Sequence, residues 1–590
     1  MPRKSRITTG EMSAYSVSWI IALGLFTAPP LWAQEEAPSI DTKGRFAVYI
    51  ADGDTDGVQE LYRSDLKSGQ VLKLNGPIVA GGRVESYLLD SKGRNAVYYA
   101  DQDTLGVHEL YRTVLKTGER LKLSGTLSTT LSAGHYKVDP QSRYVVYRSE
   151  QETSGVVELY RSDLNTGEQL KLNPPLVAGG DVFTGFTMDP KKGHYVYYRA
   201  DQDTDGILEL YRADLKKGGV LKLNGPIVPG GNVVGYTVGP KGNYVVYRAD
   251  QETDQVFELY GSNVKTGASM KLSPPLAPGD IVYMDAVVDP KGRYAIYFVQ
   301  RSSPPRIELY RSDLVSGARV KLNGDLVAGG TVVVPTLLVN PKGRYVVYVA
   351  DQDTQGVKEL YRSDLITGQS LKLSGPMVSN GDVDPFGLVL DPKGRYVVYR
   401  ADQNADNVFE LFRSHLKTGQ SLRLSAPFVH GGDVLPGRFS VDAKSRYAVF
   451  VGDENINGVN ELFRSKLKTG EVKRLNSPLP SGAGTGFFNY VLDPKGRYAV
   501  YQMDQDTQGL YELYRSDLKT AEVVKLNGPL VTNGAIFGPL LTVDPKGRYD
   551  VYVADEDTDG VLEIYRSKLS NGAQKKLNDP FVAGGDITFN

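Results

Sequence analysis

The sequence contains no cysteine, which excludes disulfides, thiolate zinc sites, cysteine nucleophiles and a lipidated cysteine. An excess of charge of either sign is missing too. Sixty-eight Lys plus Arg stand against 69 Asp plus Glu in 590 residues, for a net charge of -1. Neither bulk basicity nor an acidic tail points to a polyanion, and no nucleic-acid partner is expected. Histidine is scarce: His108, His135, His194, His415 and His430 fall at unrelated places, so a shared imidazole cluster for metal or acid/base work is not expected. A GxSxG elbow and a phosphate-binding glycine motif ahead of a helix are both absent. No segment shows a helical period with caps. What the chain has in quantity is 64 Gly and 32 Pro, the composition of a turn-rich fold.

At the front, Arg3, Lys4 and Arg6 precede an apolar stretch from Tyr15 to Phe26, then a Pro-containing bend and Leu31-Trp32-Ala33. Charged, hydrophobic and small-residue regions in that order read as a signal peptide over 1–33, cleaved after Ala33. The apolar stretch is shorter than the roughly 20 residues a bilayer-spanning helix needs. The mature chain, with a short leader at 34–39, is therefore expected without a membrane span and in a periplasmic or secreted location.

Residues 40–590 are one unit written eleven times. The Glu of each ELYR-like string falls at Glu60, Glu109, Glu158, Glu209, Glu258, Glu308, Glu359, Glu410, Glu461, Glu512 and Glu563, at spacings of 49 to 51 residues. A fixed period of this length means a repeat architecture. In the unit at 388–438, Asp391-Pro392-Lys393-Gly394 has the residue order of a type I turn. Tyr396-Val397-Val398-Tyr399 follows, apolar on both alternating faces, as in a strand covered on both sides. A polar hairpin over Asp402 to Asn407 leads to a third strand around Val408 to Ser414, and Lys417-Thr418-Gly419 turns into a fourth around Ser421 to Leu424. The fold class is accordingly all-β, a β-propeller of about eleven four-stranded blades. The first unit lacks the strand before its turn Asp41-Thr42-Lys43-Gly44, and the chain stops at the start of such a strand, Gly585-Asp586-Ile587. The ends are complementary and predict one ring closed by both, with uniform spacing favouring it over two rings of five and six.

The order DPKGRYVVY, ELYRSDLKSG, KLNGPLV resembles the TolB-like propeller repeats, a WD-like class, from about residue 40 to the end. That resemblance implies the blade and a habit of binding proteins. The chain departs from TolB itself in having more blades and no α/β domain before them.

The second-to-third strand loop of the first unit reads DGDTDGVQE, placing Asp52, Asp54, Asp56 and Glu60 on alternate positions with Gly57 at the sharp turn. Oxygen ligands at this spacing suit calcium and resemble the hairpins of integrin-type propellers. The full set recurs at Asp201, Asp203, Asp205, Glu209 and at Asp555, Asp557, Asp559, Glu563. A structural calcium at these three loops is one expectation. An ordinary polar hairpin is the other, with the Glu paired to Arg or Lys of a neighbouring strand, since the Glu persists at Glu308 where Gln300 to Arg306 has no carboxylate. For function, a chain built of blades without convergent His, Ser or Cys chemistry reads as a non-enzymatic platform binding a protein or glycan partner. The alternative is a propeller enzyme acting on extracellular carbohydrate through channel carboxylates. The two readings separate by where unit-specific residues fall: spread over one face for a platform, gathered at the channel mouth for an enzyme.

Overall fold

The computed structural model describes residues 38–588 apart from 126–135, 284–285, 429–430, 485–488 and 538–540. The expected signal peptide and most of the leader lie outside the described residues, as do His135 and His430. Eleven antiparallel sheets follow one another, each with its strands in sequence order. Ten have four strands; in blade 6 the first strand is split into Ile281–Val282 and Val287–Val288. Blade 8 is representative: Val383–Leu390, Tyr396–Ala401, Glu410–His415 and Ser421–Arg423.

The blade sequence explains its packing. In the second strand both alternating faces are buried, because each blade is covered by a neighbour on either side. Every blade sets an aromatic of the second strand directly opposite one of the third, from Tyr49 against Tyr62 to Tyr552 against Tyr565, with ring centroids 5.2 to 6.1 Å apart. Eleven apolar clusters result, one for each blade-to-blade interface. The eleventh joins Tyr49 and Tyr62 of the first blade to Val551, Ile564 and Leu577 of the last, which makes the array a single ring.

Closure uses both chain ends. Ser39 and Ile40 pair with Val48 and Ala47, while Ile587 bridges Ala51 and Thr588 donates its N–H to the Ile50 carbonyl. The first strand of blade 1 is thus made of two pieces, one from each end, and no sheet edge is left open there. First strands of neighbouring blades touch, Val332–Val339 against Val383–Leu390 and Val383–Leu390 against Val434–Val441, so they stand at the centre of the ring.

The antiparallel order sends the two tight turns of each blade to one face of the disc. The hairpin between its second and third strands, with the loop to the next blade, goes to the other. On the turn face, a buried Asp closes its own turn and an Arg reaches the next blade. Asp544 accepts N–H groups from Arg548 and Tyr549, and the Arg548 guanidinium donates to the Gly44 carbonyl across the ring's seam. Gly44 has φ +59°, and a Cβ there would lie 2.5 Å from Asp544 Oδ2, so only glycine fits this turn.

Candidate functional site

The three hairpins singled out for calcium are built alike, and their carboxylates do not converge. Asp52 Oδ1 accepts the Asp586 N–H and its Oδ2 the Gly57 N–H at 3.1 Å, so this carboxylate clasps the hairpin to the incoming loop. Asp201 does the same with Asp181 N at 2.7 Å and Gly206 N at 3.0 Å, and Asp555 with Ala535 N and Gly560 N. The second Asp and the Glu meet on a lysine from the fourth strand. Lys222 Nζ lies 2.9 Å from Asp203 and 2.7 Å from Glu209; Lys73 joins Asp54 and Glu60, and Lys576 joins Asp557 and Glu563. Asp56, Asp205 and Asp559 stand exposed at the tips.

The buried Glu is further fixed by a tyrosine hydroxyl, Tyr211 to Glu209 at 2.8 Å. Burial alone would lower the pKa of the Lys222 ammonium, but the hydrogen bonds it donates to Glu209 and Asp203 overcome this and hold the group above its ordinary value. An ammonium already sits between the two carboxylates that calcium would need, so the residues do not fit that ion. Among the described residues no group of three or more His, Cys, Asp or Glu is placed to hold a metal.

All eleven Glu residues have such a cation, Lys in most blades and Arg423 and Arg474 in blades 8 and 9. The irregular hairpin of blade 6 obeys the same rule by another route. Arg301 Nε lies 3.1 Å from Glu308 and its Nη1 2.8 Å from Asp280, Arg306 adds a contact of 3.0 Å, and Lys321 stands back at 3.8 Å.

Irregular inner strands recur round the ring, and those whose pairing is fully described are widest in blades 7, 8 and 9. In blades 2 and 5 that strand carries a one-residue bulge, Glu85 or Val234. In blade 8 the pairing jumps from Val383 with Ala401 to Leu388 with Tyr399, leaving 384–387 opposite Arg400 alone; blades 7 and 9 repeat this at 333–336 and 435–438. Such bulges re-aim side chains. These three stand side by side at the hairpin-face mouth of the ring's centre. Thr336 Oγ1 bonds the Pro385 carbonyl at 3.1 Å, and Arg400 Nε bonds the Val434 carbonyl at 2.6 Å.

Sequence reading by motif missed these residues, although the spacing held the signal: Glu60 to Glu109 is 49 residues and Glu359 to Glu410 is 51. In blade 8 the two extra residues are the enlarged bulge, and the same 51-residue spacing recurs from Glu158 to Glu209 and at every step from Glu308 to Glu563.

Within the rim, Arg400 is a buried cation between two acids. Its Nη1 lies 3.0 Å from Asp384 and its Nη2 3.7 Å from Asp433, and its guanidinium stacks 3.9 Å above the Phe409 ring. Asp433 Oδ1 accepts the Phe409 N–H at 2.6 Å. Burial pushes the Asp433 carboxyl above its ordinary value, helped by Asp453 and Asp402 and opposed by the Phe409 N–H and Arg400. Phe386, at the tip of the bulge, is 77% exposed. Such an arrangement can offer one more readily protonated carboxyl, a second carboxylate and an aromatic face to one ligand.

No family model matches the chain, and no curated protein does. Solved structures with a similar fold include the tricorn protease (13% identity, 94% of this chain and 52% of that one, TM-score 0.28) and TolB from Acinetobacter baumannii (15%, 48% and 64%, 0.24). Dipeptidyl peptidase 4 from Porphyromonas gingivalis matches at 11% identity over 79% of this chain and 64% of that one, with a TM-score of 0.38. The chain therefore spans about half to two thirds of the length of these proteins. At such identities and TM-scores the likeness assigns no role, and the propeller rests on the strand order itself. The non-enzymatic expectation is nevertheless corrected. Propellers bearing the names of peptidases, an oligogalacturonate lyase and a xyloglucanase are among the matches, the lyase over 98% of its own length. A chain made of blades is thus no ground for excluding catalysis. Among the described residues no helix is long and apolar enough to cross a membrane.

Proposed function

We propose that this chain is an exported propeller that binds an extended carbohydrate across its hairpin face and cleaves it at the inner rim of blades 7 to 9. The observation that carries the reading is the cluster at the blade 8 rim, where the buried Arg400 is held between Asp384 and Asp433 beside the exposed Phe386. Phe386 supplies a face for a sugar ring. Asp433, whose carboxyl is held above its ordinary value, protonates the leaving oxygen, and Asp384 takes a proton from the water that bonds to the anomeric carbon as the glycosidic bond breaks. Arg400 orients both acids through its two terminal nitrogens. Export rests on the order of charge and apolar residues before Ala33.

The test is release of reducing ends from neutral and acidic polysaccharides by the purified protein. Asp433→Asn keeps an acceptor for the Phe409 N–H and should lower the rate by about 100-fold or more. Phe386→Ala should raise KM with less effect on kcat. Absence of turnover by the native protein across the panel, or an unchanged rate in Asp433→Asn and Asp384→Asn, would remove the catalytic reading. Recovery of an exported protein that begins after Ala33 checks the signal.

A further inference from the structure

The net charge of -1 conceals a disc with two different faces. Ten of the eleven first-to-second strand turns carry an exposed lysine, nine of them just before the turn glycine and Lys444 before Ser445; blade 3 has Gln141 instead. In most of these turns the Asp and Arg neutralise one another, as Asp442 and Arg446 do at 3.1 Å. Among the described residues none of the ten ammonium groups pairs with a carboxylate. The turns touch successively round the ring: Arg446 reaches the Gly496 carbonyl, Arg497 that of Gly547 and Arg548 that of Gly44. Their lysines therefore form an annulus facing one way, interrupted at blade 3. On the same face the third-to-fourth strand turns of blades 6 and 7 present Val315 and Ile366, 70% and 56% exposed, where blades 5 and 8 have Lys265 and Lys417.

We infer that the turn face docks on an anionic lipid bilayer, with the lysine annulus against the headgroups and Val315 and Ile366 entering the interface. Charge complementarity selects an anionic partner. The annular layout selects a planar one, since a surface meets all ten lysines together whereas a linear polyanion crosses a ring at a few points. Two neighbouring apolar tips beside a cationic belt match the interfacial pattern of apolar side chains below basic ones. The hairpin face remains free for its ligand in this orientation.

Flotation of the whole protein with phosphatidylcholine vesicles, with and without phosphatidylglycerol, tests the assignment. Binding is expected only to the anionic vesicles, at an affinity that falls as salt shortens the Debye length from about 10 Å at 0.1 M to about 3 Å at 1 M. The combined variant Lys342→Gln, Lys393→Gln, Lys444→Gln and Lys495→Gln should bind at least about tenfold more weakly, each lysine near such a surface being worth about fivefold. Val315→Ser with Ile366→Ser should weaken the binding that survives salt, and Asp205→Asn on the opposite face should change nothing. The lipid and salt dependence of the unaltered protein stands even where the fourfold variant folds poorly. Equal binding to neutral vesicles, or capture of polyuronate or DNA by the same lysines with no vesicle binding, would overturn the proposal.

Discussion

One repeat produces two faces that use lysine in opposite ways. On the hairpin face the fourth-strand lysine is consumed, held by a buried Glu and a rim Asp as Lys222 is by Glu209 and Asp203. On the turn face the Arg takes the Asp, and the lysine beside them is left to solvent. Both acids are buried, and the difference lies in what satisfies them: the hairpin Glu takes the lysine, whereas the turn Asp is satisfied by backbone N–H groups and a guanidinium already in place. A charge total near zero therefore says nothing about how either face presents itself.

Breaking the hairpin face at its seam should have the largest effect. Deleting 586–590 removes the Ile587 bridge to Ala51 and the Asp586 N–H from Asp52, while the turn-face link from Arg548 to Gly44 remains. A loss of about 4 kcal/mol or more is expected, from a deleted buried Ile and an unpaired clasp, together with association through the exposed edge. Denaturant unfolding and light scattering read both; an equally stable monomer would show the ends to be dispensable.

The next variant concerns Glu454, which stands in blade 9 where Gln403 and Gln505 stand in blades 8 and 10. Burial pushes its carboxyl from 4.5 up to about 7, against the opposing Ala426 N–H. Because the folded value is raised, stability is fully present below pH 4.5 and is lost as pH rises through 7. Glu454→Gln should then add about 3 kcal/mol at pH 8 and almost nothing at pH 4. A gain that does not vary with pH would assign the effect to packing.

Lys222→Met is expected to cost about 2 kcal/mol, since it leaves Glu209 inside the blade without its cation. The matched turn-face change, Lys393→Met, should cost nothing measurable. Similar losses at both would erase the distinction between the faces. Smallest of all is the response to calcium: its addition or chelation should leave the melting curve of the unaltered protein in place, because lysine holds the hairpin carboxylates. A calcium-dependent rise in melting temperature would contradict that assignment.

The fold was legible from the sequence for physical reasons that can be named. Asp391-Pro392-Lys393-Gly394 and Tyr396-Val397-Val398-Tyr399 carry local turn chemistry and two-sided burial, and the repeat copies both, so architecture and closure could be read directly. Strand limits shifted slightly, with the third strand of blade 8 at Glu410–His415, because Val408 and Phe409 lie in the hairpin approach. The candidate site was less legible. Asp52, Asp54, Asp56 and Glu60 match a cation loop as a string, but Lys73, which settles their chemistry, arrives from another strand. Asp384, Arg400 and Asp433 come from three segments and meet only through a bulge that the sequence marks by a two-residue change of period. Charge polarity between faces was hidden for the same reason, since it depends on which lysines find partners.

Lysine reactivity measures that difference directly. Brief acetylation of the native protein, followed by peptide mass spectrometry, should label Lys342, Lys393, Lys444, Lys495 and Lys546 first. It should spare Lys73, Lys222 and Lys576, whose ammonium groups are held above their ordinary values by carboxylates. A clearly slower rate for the second set is the predicted result, since an ammonium held by carboxylates leaves less free amine to react. Equal labelling of the two sets would contradict the division of the repeat into a face that consumes its lysines and a face that presents them.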